Sequence, residues 1–156
     1  MLSIAAPQAQ ASGSDTIPGV SISPKASTET RAIAAANVEA AQATATLCGS
    51  GYTLFTATRL PDASRLGTLF LYNKSGGNCA VFDNNTTSAK WMKLKLCENL
   101  VDAKCNEDSG TFSQYAGPVF LTSPAAWCGK VTALMKNSSS SSSYLINFVD
   151  YATPCG

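Results

Sequence analysis

The sequence contains no histidine, and only 13% of its 156 residues are charged. The absence of histidine excludes Ser-His-Asp and Cys-His catalytic arrangements and every metal site that depends on imidazole. Catalysis would have to rely on carboxylates, lysine or tyrosine. We therefore expect a protein that is not an enzyme and that uses neither a metal ion nor a cofactor.

The chain also lacks an excess of positive charge: its net charge is +1 and its isoelectric point is about 7.5. A chain with this balance releases few counterions from a phosphate backbone, so nucleic acid is not an expected partner. No stretch approaches the roughly 20 apolar residues that a membrane-spanning helix needs. The expected partners are therefore other proteins or extracellular surfaces, not a membrane.

Cysteine is the residue that the chain does supply in quantity. An even number without CxxC pairs or histidine is typical of disulfides in an exported protein, so we expect secretion to the extracellular space. The six cysteines are Cys48, Cys79, Cys97, Cys105, Cys128 and Cys155. In antiparallel hairpins the start of one strand lies beside the end of the next, which favours the pairs Cys48–Cys79, Cys97–Cys105 and Cys128–Cys155. Six cysteines allow fifteen connectivities, so this pairing is a preferred hypothesis.

The first residues also point to export. Ala9, Gln10 and Ala11 form the small-x-small pattern after which signal peptidase cuts. We interpret residues 1–11 as the remnant of a signal peptide. An ordinary flexible N-terminus is the alternative.

Residues 12–47 form an N-terminal extension without cysteine or aromatic residues. Pro18 and Pro24 favour an extended path, whereas residues 31–43 have high helix propensity. A segment with so few bulky apolar residues cannot build its own core, and it fits partner binding by strand addition or coupled folding. The candidate contact residues are Ile17, Val20, Ile22, Ile33 and Val38. A linker or a processed leader is the alternative.

Residues 48–156 are predicted to form a disulfide-stapled β-domain. Short β-prone segments alternate with turn residues, which favours antiparallel hairpins over crossovers. The predicted strands are 52–58, 66–73, 78–83, 90–97, 111–112, 115–121, 127–134 and 144–151. The fold class is therefore all-β: a small disulfide-stabilised antiparallel β-sandwich or barrel, preceded by an extended and partly helical tail.

The segment Lys90–Leu96 alternates strictly between apolar and polar residues. This period of two predicts that Met92, Leu94 and Leu96 face the core. The same pattern points Trp91, Lys93 and Lys95 outward, where they are candidates for a recognition surface. The alternative is an edge strand protected by its lysines, with Trp91 covered by a loop.

Carboxylates are the remaining candidates for chemistry. Asp150 lies in an apolar run, where it is either a paired, partly buried carboxylate or an outward-facing strand residue beside Asn147. No facing pair of carboxylates stands out as a glycosidase would need. AspSerGly at 108–110 lacks a nucleophile-elbow pattern and is predicted to be a turn. A hydrolase without histidine would be tested at Asp83, Asp108 and Asp150.

Four stretches resemble the spore-associated protein A-like secreted proteins of actinobacteria. They are CysGlySerGlyTyr (48–52), LeuTyrAsn with AsnCysAlaVal (71–73 and 78–81), AspSerGlyThrPheSerGlnTyrAlaGlyProValPheLeu (108–121) and the closing ProCysGly. The resemblance spans nearly all of the β-domain. Cys97 and Cys105 are an added pair relative to the four-cysteine pattern of that family, and the long N-terminal extension is also beyond it.

The architecture also resembles the small adaptor subunit of secreted umbrella toxin particles. That resemblance implies that the extension inserts into a lectin-like subunit while the β-domain docks on a repeat-bearing toxin subunit. The function expected first is a secreted, non-catalytic adaptor that joins partner proteins in an extracellular assembly. The alternative is a free-standing spore-surface, cell-wall or glycan-binding module in which the extension is a spacer.

Overall fold

The computed structural model describes residues 16–122 and 129–151. These ranges contain two helices, α1 (Thr28–Ala36) and α2 (Val38–Cys48). The strands are β1 (Thr53–Leu60), β2 (Gly67–Lys74), β3 (Gly77–Asn84), β4 (Lys90–Cys97), β5 (Cys105–Phe112), β6 (Tyr115–Leu121), β7 (Lys130–Lys136) and β8 (Ile146–Tyr151). The chain is therefore mostly β, with the helices preceding the first strand.

The strands form two antiparallel sheets of four, in the orders β1-β2-β3-β6 and β5-β4-β7-β8. The inward side chains of both sheets share one apolar cluster, which includes Leu69 and Phe82 from the first sheet and Leu94 and Met135 from the second. All four of these side chains are fully buried. The prediction of a mostly-β protein with antiparallel sheets is confirmed.

The helices differ from the single segment predicted at residues 31–43. Ser27 caps α1 by accepting a hydrogen bond from the Thr30 amide at 3.0 Å. Asn37 then interrupts the helix with a non-helical backbone (φ −134°, ψ 57°), and its side chain donates to the Ile33 carbonyl. Asparagine competes for backbone hydrogen bonds in this way, which explains why one predicted helix is two.

A second apolar cluster lies between the helices and the outer face of the first sheet. Ile17 and Ile33 are each 5% exposed, and they belong to the same cluster as the buried rings of Phe70 and Tyr72. Residues before α1 also extend the sheet, because Ile22 forms a parallel bridge with Leu54. The described part of the N-terminal extension thus packs on the β-domain of its own chain.

Strand β5 is longer than the sequence predicted. The prediction placed only residues 111–112 in a strand, which is correct but too short, and residues 108–110 in a turn, which is wrong. Asn106–Gly110 is polar and mostly exposed, so it lacks the apolar alternation that marks a strand. The ladder with β4, which runs from Lys90↔Phe112 to Cys97↔Cys105, imposes the strand conformation.

Two of the three predicted disulfides are present. Cys48–Cys79 joins the end of α2 to β3, and Cys97–Cys105 bridges the ends of β4 and β5. The predicted Cys128–Cys155 pair and the interpretation of residues 1–11 lie outside the described residues. Neither described helix is long and apolar enough to cross a membrane.

Candidate functional site

The two outer faces of the sandwich are different. The helices and residues 17–22 pack on the outer face of the first sheet. On the outer face of the second sheet the side chains of β4 and β7 are partly or fully exposed, and Val149 and Tyr151 of β8 are 55% and 51% exposed. The second sheet therefore presents the open surface of the described fold.

Alternation along β4 positions the predicted residues on this surface. Met92, Leu94 and Leu96 are fully buried, as predicted, so the residues between them face outward. Trp91 and Lys93 are partly exposed, and so is Lys95. The alternative of an edge strand is wrong, because β4 pairs with β5 on one side and with β7 on the other.

Strand β7 adds side chains that the sequence analysis did not single out. Val131, Ala133 and Met135 are buried, so Lys130 and Lys136 at its two ends face the same way as Trp91. The register confirms this, since Lys136 lies opposite Trp91 and Lys130 opposite Cys97. The signal was present in the alternation of residues 130–136, but the pairing of β7 with β4 could not be predicted.

At each end of this surface a lysine makes cation–π contacts with aromatic rings. The ammonium group of Lys136 lies 4.8 Å from the centroid of the Trp91 ring and 5.2 Å from that of Tyr144. At the other end, the ammonium group of Lys130 lies 5.8 Å from the ring centroid of Tyr151. We call this surface the lysine–aromatic face and define it by Trp91, Lys93, Lys95, Lys130, Lys136, Tyr144 and Tyr151.

One acidic side chain borders the lysine–aromatic face. Glu107 of β5 forms a salt bridge with Lys93, with Nζ and Oε2 3.6 Å apart. The side chain of Glu107 is 45% exposed and that of Lys93 is 29% exposed, so water screens the pair and its contribution to stability is small. A ligand carboxylate could therefore compete with Glu107 for Lys93 at little cost.

The candidate residues of the N-terminal extension lie elsewhere. Ile17 and Ile33 are buried in the chain's own cluster, and Val20 and Ile22 pack against it with partial exposure. Val38, at the start of α2, is 37% exposed. The structure therefore separates these five residues from the lysine–aromatic face, and Val38 is the most exposed of the five.

The three carboxylates considered for hydrolysis lie on different strands. Asp83 is on β3 of the first sheet, and its partial burial raises its pKa to about 6. Asp108 and Asp150 are on β5 and β8, which form opposite edges of the second sheet. The Oδ2 atom of Asp108 accepts a hydrogen bond from the Gly117 amide at 2.8 Å, which links the two sheets. The structure does not bring the three carboxylates together.

A cleft of about 630 Å³ lies between α1 and the β1–β2 connection. Its charged lining has both signs, with Glu29 and Asp62 facing the same space as Arg59 and Arg65. The Ser64 amide donates a hydrogen bond to Oδ1 of Asp62 at 2.8 Å, and hydrogen bonds from Ser64 lower the pKa of the Asp62 carboxyl. Within the described ranges, no group of three or more cysteine and carboxylate side chains is placed to hold a metal ion.

The fold and its open face define a disulfide-stabilised β-sandwich with an exposed lysine–aromatic surface. The chain is similar to Spore-associated protein A of Streptomyces coelicolor, with 34% identity over 105 residues. The matched region is 62% of this chain and 66% of the relative, so the chain spans about two thirds of that protein's length. No family model and no solved structure matches the chain.

This similarity supports the resemblance to spore-associated protein A-like proteins that the sequence motifs indicated. None of the comparisons supports the resemblance to an umbrella toxin adaptor. Together, the relative and the two disulfides indicate an extracellular or cell-surface location.

Proposed function

We propose that this protein is a secreted, non-catalytic binding module that attaches to the outer surface of the spore or cell through its lysine–aromatic face. The observation that carries the proposal is the concentration of partly or fully exposed lysine and aromatic side chains on the one sheet face that the helices leave open. Tryptophan and tyrosine are among the residue types that contribute most to binding at protein surfaces, and the lysines add positive charge beside them. The name of the relative, Spore-associated protein A, places that protein on spores and makes a spore surface the first surface to test.

The test is a sedimentation assay with purified spores and washed cell walls of the producing organism. We expect the wild-type protein to sediment with at least one of them and the double variant Lys95→Glu/Lys130→Glu to stay in solution. Lys25→Glu/Lys74→Glu is the matched control, because it makes the same charge change and Lys74 also lies over a ring, 4.6 Å from the centroid of Tyr52. Equal sedimentation of both double variants would contradict the proposed surface.

A second candidate function is that of an adaptor that joins two extracellular proteins. It is favoured by a second exposed feature, the β4–β5 loop, which the Cys97–Cys105 disulfide closes at its base. Leu100 and Val101 in this loop are 58% and 92% exposed. A short closed loop with an apolar tip is suited to enter a pocket on a partner, since little conformational freedom remains to be lost.

In the adaptor version, residues 12–47 insert into one partner and the β-domain docks on another. That insertion would have to release Ile17 and Ile33 from their buried positions, which costs the free energy of burying two side chains. Affinity purification from culture fluid, followed by size exclusion and mass spectrometry, distinguishes the candidates. A stoichiometric complex with a lectin-like chain and a repeat-bearing chain, weakened by Leu100→Ser/Val101→Ser, supports the adaptor. A lone chain of 16.2 kDa supports the free-standing module.

A further inference from the structure

The lysines of the second sheet form a line along the strands. Successive outward-facing rows of the β4–β7 pair contain Lys136, Lys93, Lys95 and Lys130, one lysine in each row. Rows on one face are two residues apart, which corresponds to roughly 7 Å along the strand. The line from Lys136 to Lys130 is therefore about 20 Å long, because six residues of β7 separate its ends.

This line concentrates positive charge in a chain that is otherwise slightly acidic. The face carries four of the eleven basic side chains of the whole sequence, and the acidic side chain of Glu107 contacts this line at Lys93. An elongated region of positive potential attracts a ligand with negative charges spaced along its own length. A compact anion would engage one or two of the four lysines and leave the others unused.

The type of cation matters as well. All four basic residues of the line are lysines, whereas the three arginines of the chain lie elsewhere: Arg31 in α1, Arg59 in β1 and Arg65 in the connection between β1 and β2. Arginine suits bidentate recognition of a single carboxylate or phosphate group, whereas lysine is a flexible point charge with no geometric demand. The line therefore suits anionic groups that are spaced along a chain, and the Glu107 carboxylate at Lys93 shows that a carboxylate fits there.

The aromatic rings have a different role from the stacking platforms of proteins that bind single-stranded nucleic acid. Those proteins leave ring faces free for successive bases. Here Lys136 lies over both Trp91 and Tyr144, and Lys130 lies over Tyr151. The rings hold the terminal lysines in place, and this reduces the side-chain entropy lost when a ligand binds.

We propose that the lysine–aromatic face binds a linear anionic polysaccharide, with carboxylate groups repeated along the chain and the chain laid parallel to β4 and β7. This inference rests on the proposed function, because it names the ligand of the proposed binding surface. Glu107 lowers the affinity modestly, because its negative charge lies beside the line and must be displaced from Lys93 by the ligand.

Calorimetric titration of the full chain with polygalacturonate tests the inference, and fully methyl-esterified polygalacturonate is the neutral control. We expect binding of the acidic polymer at low salt, weaker binding near 0.15 M salt, and no binding of the neutral polymer. Lys95→Gln/Lys130→Gln should lower the affinity about three- to tenfold, as loss of two exposed charge contacts implies, while Lys25→Gln/Lys74→Gln should leave it unchanged. Glu107→Gln should raise the affinity, which a purely structural role of the face would not produce.

Four results would overturn the inference: no binding of polygalacturonate, equal binding of the neutral polymer, equal loss in both double variants, or tighter binding of a thymidine oligonucleotide of the same charge. The outcome is separable from that of the spore and wall assay. If Lys95→Glu/Lys130→Glu abolishes sedimentation but polygalacturonate does not bind, the ligand class is wrong and the surface stands. If polygalacturonate binds through the lysine line but sedimentation does not depend on it, the proposed function fails and the ligand class stands.

Discussion

The hydroxyl oxygens of Thr44 and Tyr72 lie 2.7 Å apart, in a region from which water is excluded. Thr44 is 1% exposed and Tyr72 is fully buried. The Tyr72 hydroxyl also donates to the Ala41 carbonyl at 3.0 Å, and burial raises its pKa to about 12. This polar contact ties α2 to β2 and fixes the helices on the first sheet.

The first prediction concerns this contact. Tyr72→Phe keeps the ring in the apolar cluster but removes its hydrogen bonds, so it should lower the free energy of unfolding by about 1 kcal/mol. Chemical denaturation at neutral pH measures the change. Tyr151→Phe is the matched control, because Tyr151 is 51% exposed and should tolerate loss of its hydroxyl. Equal effects of the two substitutions would contradict the role assigned to Tyr72.

The second prediction is a pH dependence of stability that arises from Asp83. Its pKa of about 6 in the folded chain lies above the value near 4 that an aspartate has when unfolded. Between these values the folded state keeps a proton that the unfolded state releases, so stability falls as pH rises from about 4 to about 6 and stays lower above that range. The cause is the partial burial of the carboxyl beside Thr68 and Tyr115, its neighbours in the sheet.

Asp83→Asn removes this titration. We expect the variant to be more stable than the wild type by roughly 1 to 2 kcal/mol at pH 8, since the carboxyl is partly exposed and partly solvated. The difference should vanish below about pH 4. Urea unfolding at several pH values gives the comparison, with Asp102→Asn in the exposed β4–β5 loop as the control that keeps the wild-type profile. A difference between Asp83→Asn and wild type that does not vary with pH would exclude this explanation.

Local periodicity made part of the fold predictable. Met92, Leu94 and Leu96 could be assigned to the core because the alternation of β4 is strict and the strand is buried on one side only. Strand β5 was largely missed, because Asn106–Gly110 is held by its ladder with β4 and not by its own composition. Asp108 gave no sign of its role either, since the Gly117 amide that it binds belongs to the other sheet.

The candidate site was also predictable only in part, namely where its residues lie on one strand. Trp91, Lys93 and Lys95 follow from alternation within one strand, whereas Lys130 and Lys136 join them through the pairing of β7 with β4. That pairing passes over β5 and β6 in the chain, and no local pattern specifies it. For the N-terminal extension, the low count of bulky apolar residues did not reveal that Ile17 and Ile33 would be buried against the first sheet.

The third prediction concerns Gly117, which lies within the motif at residues 108–121. Its backbone has a positive φ of 100°, and an added Cβ would lie 2.8 Å from the Ala80 carbonyl oxygen and 3.0 Å from Cδ2 of Leu94. Gly117→Ala therefore combines backbone strain with collisions with β3 in the same sheet and with Leu94 of the other sheet, and we expect a loss of more than about 2 kcal/mol in unfolding free energy.

Gly76→Ala separates the two contributions. Gly76 also has a positive φ, 81°, but an added Cβ there would meet nothing within 4 Å. The substitution should cost about 1 kcal/mol, which is the penalty of the left-handed conformation alone. Thermal unfolding of both variants measures the difference, and equal destabilisation would show that crowding between β6 and its neighbours contributes nothing.

The fourth prediction compares the two disulfides. Cys48–Cys79 closes a loop with a sequence separation of 31 residues, and Cys97–Cys105 closes one with a separation of 8. A longer closed loop restricts the unfolded chain more, so replacing Cys48 and Cys79 with alanine should cost about 1 kcal/mol more than replacing Cys97 and Cys105. Cys48 and Cys79 are also buried, at 5% and 0% exposure, so loss of their sulfur atoms adds a packing cost to the entropic one. Denaturant titration of the two double variants measures both losses. A lower stability of the Cys97–Cys105 variant would contradict this ranking. It would show that the Cys97–Cys105 disulfide stabilises the β4–β5 pair more than loop length alone predicts.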